Sequence, residues 1–194
     1  MPEPNDPTLV SVATYSAVAD EYEQAFADRR AAEVDRFVRS LPAGGRVLDA
    51  GCGPGRDLAR FAAAGLVAVG LELNPVFAER ARRHATVVHG DLRDVARLLA
   101  GERFDGVWAD ASLVHLERDA AARAMHDLVA LLVPGGRLFV SVRSTGDDGW
   151  VDEPDGRRWY SVWSAAESAH ELDAAGCTID EVVPGAYTQL WATR

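Results

Sequence analysis

Residues 46–57 read Arg46-Val47-Leu48-Asp49-Ala50-Gly51-Cys52-Gly53-Pro54-Gly55-Arg56-Asp57, the stretch that most restricts how this chain can fold. An apolar run, Val47-Leu48, stops at Asp49. Glycines follow at 51, 53 and 55, and Leu58-Ala59-Arg60-Phe61-Ala62 then takes up helical spacing. The pattern predicts a buried strand, a tight turn and a helix that opens at the turn. The glycines allow positive φ and leave no side chains to hold a ligand away from the backbone. Pro54 is expected at the first helical position, where its missing N–H costs nothing. The helix N-terminus would then offer free N–H groups and partial positive charge to an anionic ligand group.

The rest of the chain repeats this strand–turn–helix grammar. Residues 8–41 are expected to be helical, in one or two pieces. Val34, Phe37, Val38 and Leu41 form one core-facing stripe, and Pro42-Ala43-Gly44-Gly45 ends it. Tyr15 and Tyr22, seven apart, share a helix face and either pack on the sheet edge or cover a ligand. Strands are predicted at Val67–Glu72, Thr86–His89, Phe104–Asp110 and Arg137–Val142, with a helix before each. Asp94 is expected to cap the helix through Val95, Leu98 and Leu99. Single helices between near-continuous apolar strands mean βαβ units, a parallel sheet covered on both faces and an α/β fold. Ligands of such sheets bind beyond the carboxyl ends of the strands. The polar residues at those ends are Asp49, Glu72, Asp91 and Asp110. Each also has an ordinary reading as a helix cap or solvated turn.

Beyond residue 143 the character changes. Residues 144–163 carry turn signals and aromatics, Trp150, Trp159 and Tyr160 among them, and read as a hairpin or lid beside the site, or as a plain surface excursion. Ser164 and Glu167 form a capping box for a helix that stops at Gly176. Thr178–Val183 and Tyr187–Ala192 read as two antiparallel strands.

Composition narrows the function. Twenty basic residues against 30 acidic ones give a net charge of −10. That opposes binding modes built on neutralising nucleic-acid phosphates or on anionic membranes. Every basic residue is an arginine. With no lysine, a Schiff-base enzyme and a Walker-type phosphate loop are both excluded. Cys52 and Cys177 are expected as free thiols, and no histidine spacing suggests a metal site. No apolar stretch approaches the roughly 20 residues that span a bilayer. Met1–Pro7, acidic and Pro-rich, reads as a disordered leader, and residues 8–194 as one domain in the cytoplasm. Glu72, 23 residues beyond Asp49, stands where a carboxylate meets a ribose in a Rossmann unit. The dinucleotide fingerprint G-x-G-x-x-G is broken, because Arg56 occupies the third glycine position.

Val47-Leu48-Asp49-Ala50-Gly51-Cys52-Gly53-Pro54-Gly55 resembles the first motif of class I, Rossmann-like S-adenosylmethionine-dependent methyltransferases. Glu72, Gly90-Asp91-Leu92 and Leu132-Val133-Pro134-Gly135-Gly136 resemble its later motifs, and the chain is similar to small bacterial members that act on free metabolites. The resemblance implies a three-layer sandwich around a mostly parallel seven-stranded sheet with an antiparallel last strand. It implies S-adenosylmethionine as cofactor. Gly51, Cys52, Gly53 and Gly55 would meet its methionine end, Glu72 its ribose, Leu73, Asp91 and Leu92 its adenine, and Ala109 and Asp110 its sulfonium. Tyr22 would close over it, and Asp49 would hold the loop or reach the amino group. His115, just after the fourth strand, is the candidate base, with local packing as its rival role. Tyr15, Arg143 and Trp150 are candidate contacts for a small-molecule acceptor methylated at oxygen or nitrogen. A second subunit could complete that site. A non-catalytic cofactor-binding module and a nicotinamide-dependent oxidoreductase stay open as alternatives.

Overall fold

The computed structural model describes residues 6–26 and 29–194. The expected leader lies mostly outside these residues. Asp6 and Pro7, however, are the N-cap and first residue of α1 (Pro7–Ala17), with Asp6 accepting from the Thr8 N–H at 2.9 Å. The expected one or two leading helices are three: α1, α2 (Ala19–Ala25) and α3 (Ala31–Arg39).

The strands are β1 (Arg46–Ala50), β2 (Val67–Glu72), β3 (Thr86–His89), β4 (Phe104–Asp110), β5 (Leu132–Arg143), β8 (Thr178–Val183) and β9 (Tyr187–Thr193). They form one seven-stranded sheet in the order β3-β2-β1-β4-β5-β9-β8. Pairs among β1 to β5 are parallel, and β9 runs antiparallel to both β5 and β8. The intervening helices are α4 (Arg56–Ala63), α5 (Pro75–Ala81), α6 (Val95–Leu98), α7 (Arg118–Ala130) and α8 (Ala165–Ala174). This is the α/β, three-layer arrangement expected. Residues 144–163 supply a separate two-stranded hairpin, β6 (Gly149–Glu153) and β7 (Gly156–Tyr160).

Strand alternation divides the core between the two faces of the sheet. Val47 and Trp108 join Phe37 of α3 and Phe61 of α4 on one face. Leu48, Val107 and Ala109 join Met125 and Leu128 of α7 and Leu172 of α8 on the other. Trp108 stacks on Phe139 at 3.8 Å between ring centroids, and Trp191 meets Phe139 edge-on at 4.8 Å. The Trp108 indole N–H is satisfied inside this apolar layer by Asp57 Oδ2 at 3.1 Å.

Two local expectations need correction. Helix α4 begins at Arg56 with Gly55 as its N-cap at φ +95°, so Pro54 belongs to the turn and not to the helix. Only glycine adopts that φ without strain, which is why the helix starts later. Asp94 makes no side-chain cap. Asp91 does, accepting the Arg93 N–H at 2.8 Å at the start of a 3-10 turn over Leu92–Asp94.

Candidate active site

The sheet order reverses between β1 and β4, the place where a doubly wound sheet leaves a crevice. A cleft with two lobes opens there. The first lobe, about 720 Å3, is lined by Glu72, Leu73, Asn74, Phe77, Asp91 and Leu92, and also by Tyr15, Ser112 and His115. The second, about 850 Å3, is lined by Asp49, Cys52, Arg29, Arg56 and Asp57. Tyr22, Gly51, Gly53, Asp110 and Ala111 line both.

The glycine turn is built for close approach. The Gly51 and Cys52 N–H groups both donate to the Leu71 carbonyl, at 2.8 and 3.1 Å. At Gly51 (φ +76°) a Cβ would stand 2.3 Å from Ser112 Cβ, so the backbone after β1 presses against the turn after β4. At Gly53 (φ +55°) a Cβ would meet nothing within 4 Å, because that face is open cleft. Gly55 does not line the cleft. Its Cβ would stand 2.8 Å from Ala81 Cα, so it serves the packing of the turn on α5.

Glu72 is buried at the end of β2. Its Oε2 accepts the Gly53 N–H at 2.8 Å and its Oε1 the Asn74 N–H at 2.7 Å. Burial raises its pKa, and those backbone N–H groups pull it back down. A carboxylate has about four lone-pair sites, so with the Leu73 backbone also in reach Glu72 still keeps acceptor capacity for a ligand. Asp91 lines the first lobe but also holds Arg93, with Arg93 Nη2 at 2.6 Å, and Arg93 in turn reaches Asp6 at 2.7 Å.

Asp49 is 3% exposed, and its Oδ2 has no hydrogen-bond partner. Burial, and then the neighbouring Asp57 carboxylate, push its pKa well above the ordinary value. An orphaned carboxylate oxygen beside a cleft is costly unless a ligand supplies the missing donor. Asp110 is the opposite case. It accepts from Ser141 Oγ at 2.6 Å and Arg30 Nε at 3.2 Å, with Arg56 at 3.4 Å and Arg29 at 3.6 Å. Arg29, Arg30, Ser141 and Ser112 reach the site by tertiary contact, and no local pattern in the sequence marks them.

Ala109 is fully buried and points into the α7 face of the core. Ala111, at φ +53°, lines the cleft in its place, its N–H donating to Ser141 Oγ at 2.8 Å. A non-glycine residue held at positive φ marks local strain of the kind that clusters at functional sites. Arg143 and Trp150 line neither lobe. Arg143 lies over the Tyr160 ring at 4.1 Å, and Trp150 packs edge-on against Trp159 at 5.7 Å within the hairpin.

His115 is half-buried in the first lobe's wall. Its Nδ1 lies 2.8 Å from the Trp159 carbonyl and its Nε2 3.0 Å from Tyr15 Oη. Burial pushes its pKa down to about 4. The hairpin reaches α1 as well: the Trp159 N–H donates to Ser11 Oγ at 2.9 Å, and Thr14 Oγ1 donates to the Arg157 carbonyl at 2.8 Å.

Among the described residues, no helix is long and apolar enough to cross a membrane. Residues 47–136 match the family model for a methyltransferase domain. The chain is similar to the methyltransferase GfsG of Streptomyces halstedii, 32% identical over 145 residues, which cover 69% of this chain and 50% of that protein. It is also similar to the trans-aconitate 2-methyltransferase of Methylobacterium nodulans, 29% identical over 174 residues, 87% of this chain and 64% of that one. The chain thus spans half to under two thirds of the length of these curated relatives. Among solved structures it is similar to the 1,6-didemethyltoxoflavin-N1-methyltransferase of Burkholderia thailandensis, crystallised with 1,6-didemethyltoxoflavin and S-adenosylhomocysteine. The TM-score is 0.76 at 28% identity, over 100% of this chain and 90% of that one. Residues 47–136, from β1 into β5, thus carry the match to a methyltransferase domain, and the chain as a whole has the Rossmann-like fold of a solved methyltransferase.

Proposed function

We propose that the protein transfers a methyl group from S-adenosylmethionine to a small-molecule acceptor. The observation that carries this reading is the orphaned Asp49 Oδ2, buried beside an open glycine turn in the second lobe while the Glu72 carboxylate lines the first. An amino acid joined to a nucleoside fits that pair: its ammonium supplies the donor that Asp49 lacks, and its ribose hydroxyls take the spare lone pairs of Glu72. Leu73, Phe77 and Leu92 would flank the adenine, with Asp91 at its edge. Arg29 and Arg56 in the second lobe suit the cofactor's carboxylate.

Bound S-adenosylmethionine would supply an electrophilic methyl group for an acceptor lone pair, its sulfur keeping the bonding electrons as a neutral thioether. The chain's part is then to align, to exclude water and to handle the acceptor's proton. Tyr22, at the junction of the lobes, covers the reacting region. The hairpin β6–β7, docked on α1, closes the acceptor side as a lid. The net charge of −10 supports a free metabolite and opposes nucleic acid as the acceptor. A cytoplasmic location and a paired subunit belong to the same reading.

Titration calorimetry with S-adenosylmethionine, S-adenosylhomocysteine and NAD tests it. Micromolar binding of the first two and none of NAD is expected. Binding of NAD alone would replace the reading with an oxidoreductase. Cofactor binding without methyl transfer to any of a broad panel of small acceptors would leave a non-catalytic module.

A further inference from the structure

The hydrogen bonds around His115 determine its tautomer. A carbonyl only accepts, so the contact with the Trp159 carbonyl places the proton on Nδ1. Nε2 is therefore the acceptor, and the Tyr15 hydroxyl must donate to it. The Tyr160 hydroxyl lies within side-chain hydrogen-bond reach of Tyr15, and the Tyr15 oxygen keeps acceptor capacity for a further donor. Tyr15 and His115 line the first lobe together with Ser112, Tyr22 and Asp110, and the last two also line the second lobe. The surroundings are aromatic: Tyr22 lies edge-on to Tyr15 at 5.2 Å, and Tyr160 is 4.9 Å from His115.

We propose, resting on the methyl-transfer reading, that Tyr15 receives the acceptor's proton with His115 positioned behind it, and that the acceptor is a small phenol. The proton on the phenol oxygen passes to Tyr15 Oη as the Tyr15 proton passes to His115 Nε2. His115 ends as an imidazolium whose Nδ1–H still donates to Trp159, and Tyr15 ends neutral. No proton is lost or gained beyond the phenol's own. An aromatic hydroxyl suits the ring-lined wall and carries a proton to remove, whereas a carboxylate acceptor would leave the relay idle. Burial keeps His115 neutral through the physiological range, ready to accept. A weak base suffices, because the phenol proton becomes acidic as its oxygen gains a new bond. The titratable and charged groups that face His115 are Tyr15 of α1, Glu153 of β6, Arg158 and Tyr160 of β7, and Arg143 at the end of β5. Glu153 favours the imidazolium, and the two arginines oppose it.

The test uses 4-nitrophenol as acceptor in single-turnover methylation between about pH 5 and pH 9, a range chosen to span its ionisation. It compares the wild type with Tyr15→Phe and His115→Asn. Phenylalanine keeps the ring, and asparagine can still donate to the Trp159 carbonyl while falling short of Tyr15. The wild-type rate is expected to hold up below the phenol's own pKa. In both variants it should drop at least about tenfold at low pH and climb with the phenolate fraction. Calorimetric affinity for S-adenosylhomocysteine should stay within about threefold in all three proteins. An independent readout is the 15N NMR of the His115 ring, which should show a neutral Nδ1–H form whose Nε2 shift moves in Tyr15→Phe. An Nε2–H tautomer, variant pH profiles that match the wild type, or a wild type that binds cofactor yet methylates no phenol would each overturn the relay. A wild type that binds no S-adenosylmethionine would instead bring down the methyltransferase reading beneath it.

Discussion

Glu72 Oε2 accepts the Gly53 N–H at 2.8 Å, which ties the end of β2 to the glycine turn after β1. The same carboxylate holds the first residues toward α5 through the Asn74 N–H. One side chain therefore shapes the turn and keeps lone pairs for a ligand. Glu72→Gln retains the size but replaces one acceptor oxygen with a donor that faces another N–H. Cofactor affinity by calorimetry should fall about 10- to 100-fold, the scale of losing a charge-assisted hydrogen bond. The melting temperature should drop by about 2–4 °C for each kcal/mol lost from the turn. Unchanged affinity would remove Glu72 from the binding site.

Gly51 and Gly53 both sit at positive φ, yet their surroundings differ. A methyl at 51 would collide with Ser112 Cβ, while a methyl at 53 would enter open space. Gly51→Ala combines backbone strain with overpacking and should cost about 2–5 kcal/mol. Gly53→Ala should cost about 1 kcal/mol of strain, its larger effect falling on ligand affinity. Thermal melts and calorimetry on the pair separate the two roles, and equal melting temperatures would contradict this assignment.

Asp49 links stability to pH. Burial and the Asp57 carboxylate raise its folded-state pKa above the unfolded value of about 3.9. Such a group costs nothing while protonated in both states, and it costs stability increasingly as pH rises through the folded value. Asp49→Asn should therefore melt above the wild type at pH 8, with the gain shrinking as pH falls toward 4. The same variant should bind S-adenosylmethionine more weakly, since its amide is a poorer partner for an ammonium. A gain that grows toward acid would show that Asp49 is ionised and stabilised in the folded protein.

How far these relationships could be read from the chain depends on their range. The carboxyl ends of the strands, the capping box of Ser164 and Glu167 and the antiparallel β8–β9 pair rest on local period and turn chemistry and stand within a residue of expectation, whereas β5 begins at Leu132, five residues before the expected Arg137. The start of α4 differs from expectation because φ at Gly55 outweighs the preference of Pro54 for the first helical turn. Ala109 differs because the strand's alternation turns it into the core, and the cleft is lined instead by Asp110 and by the strained step at Ala111. Arg30 on Asp110, 80 residues away, and His115 on Trp159, 44 away, are products of packing with no local pattern. The hairpin's docking on α1 is of the same kind.

That docking is the last testable relationship. The hairpin belongs to no larger sheet, so its order depends on what it touches. Ser11 accepts the Trp159 N–H, Thr14 donates to the Arg157 carbonyl, and Arg158 lies over the Tyr15 ring at 4.3 Å. Gly156 lets the strand come so close that a Cβ there would stand 2.6 Å from Thr14 Cγ2. Removing both hydroxyls with Ser11→Ala and Thr14→Val should cost about 1 kcal/mol per hydrogen bond. Local opening of 149–160 should then speed amide hydrogen exchange by about tenfold or more, because each 1.4 kcal/mol is a factor of ten. The β8–β9 amides, held in the main sheet, serve as the internal control and should exchange as in the wild type. A uniform rise across both regions would mean global destabilisation, and an unchanged hairpin would mean that α1 does not hold it.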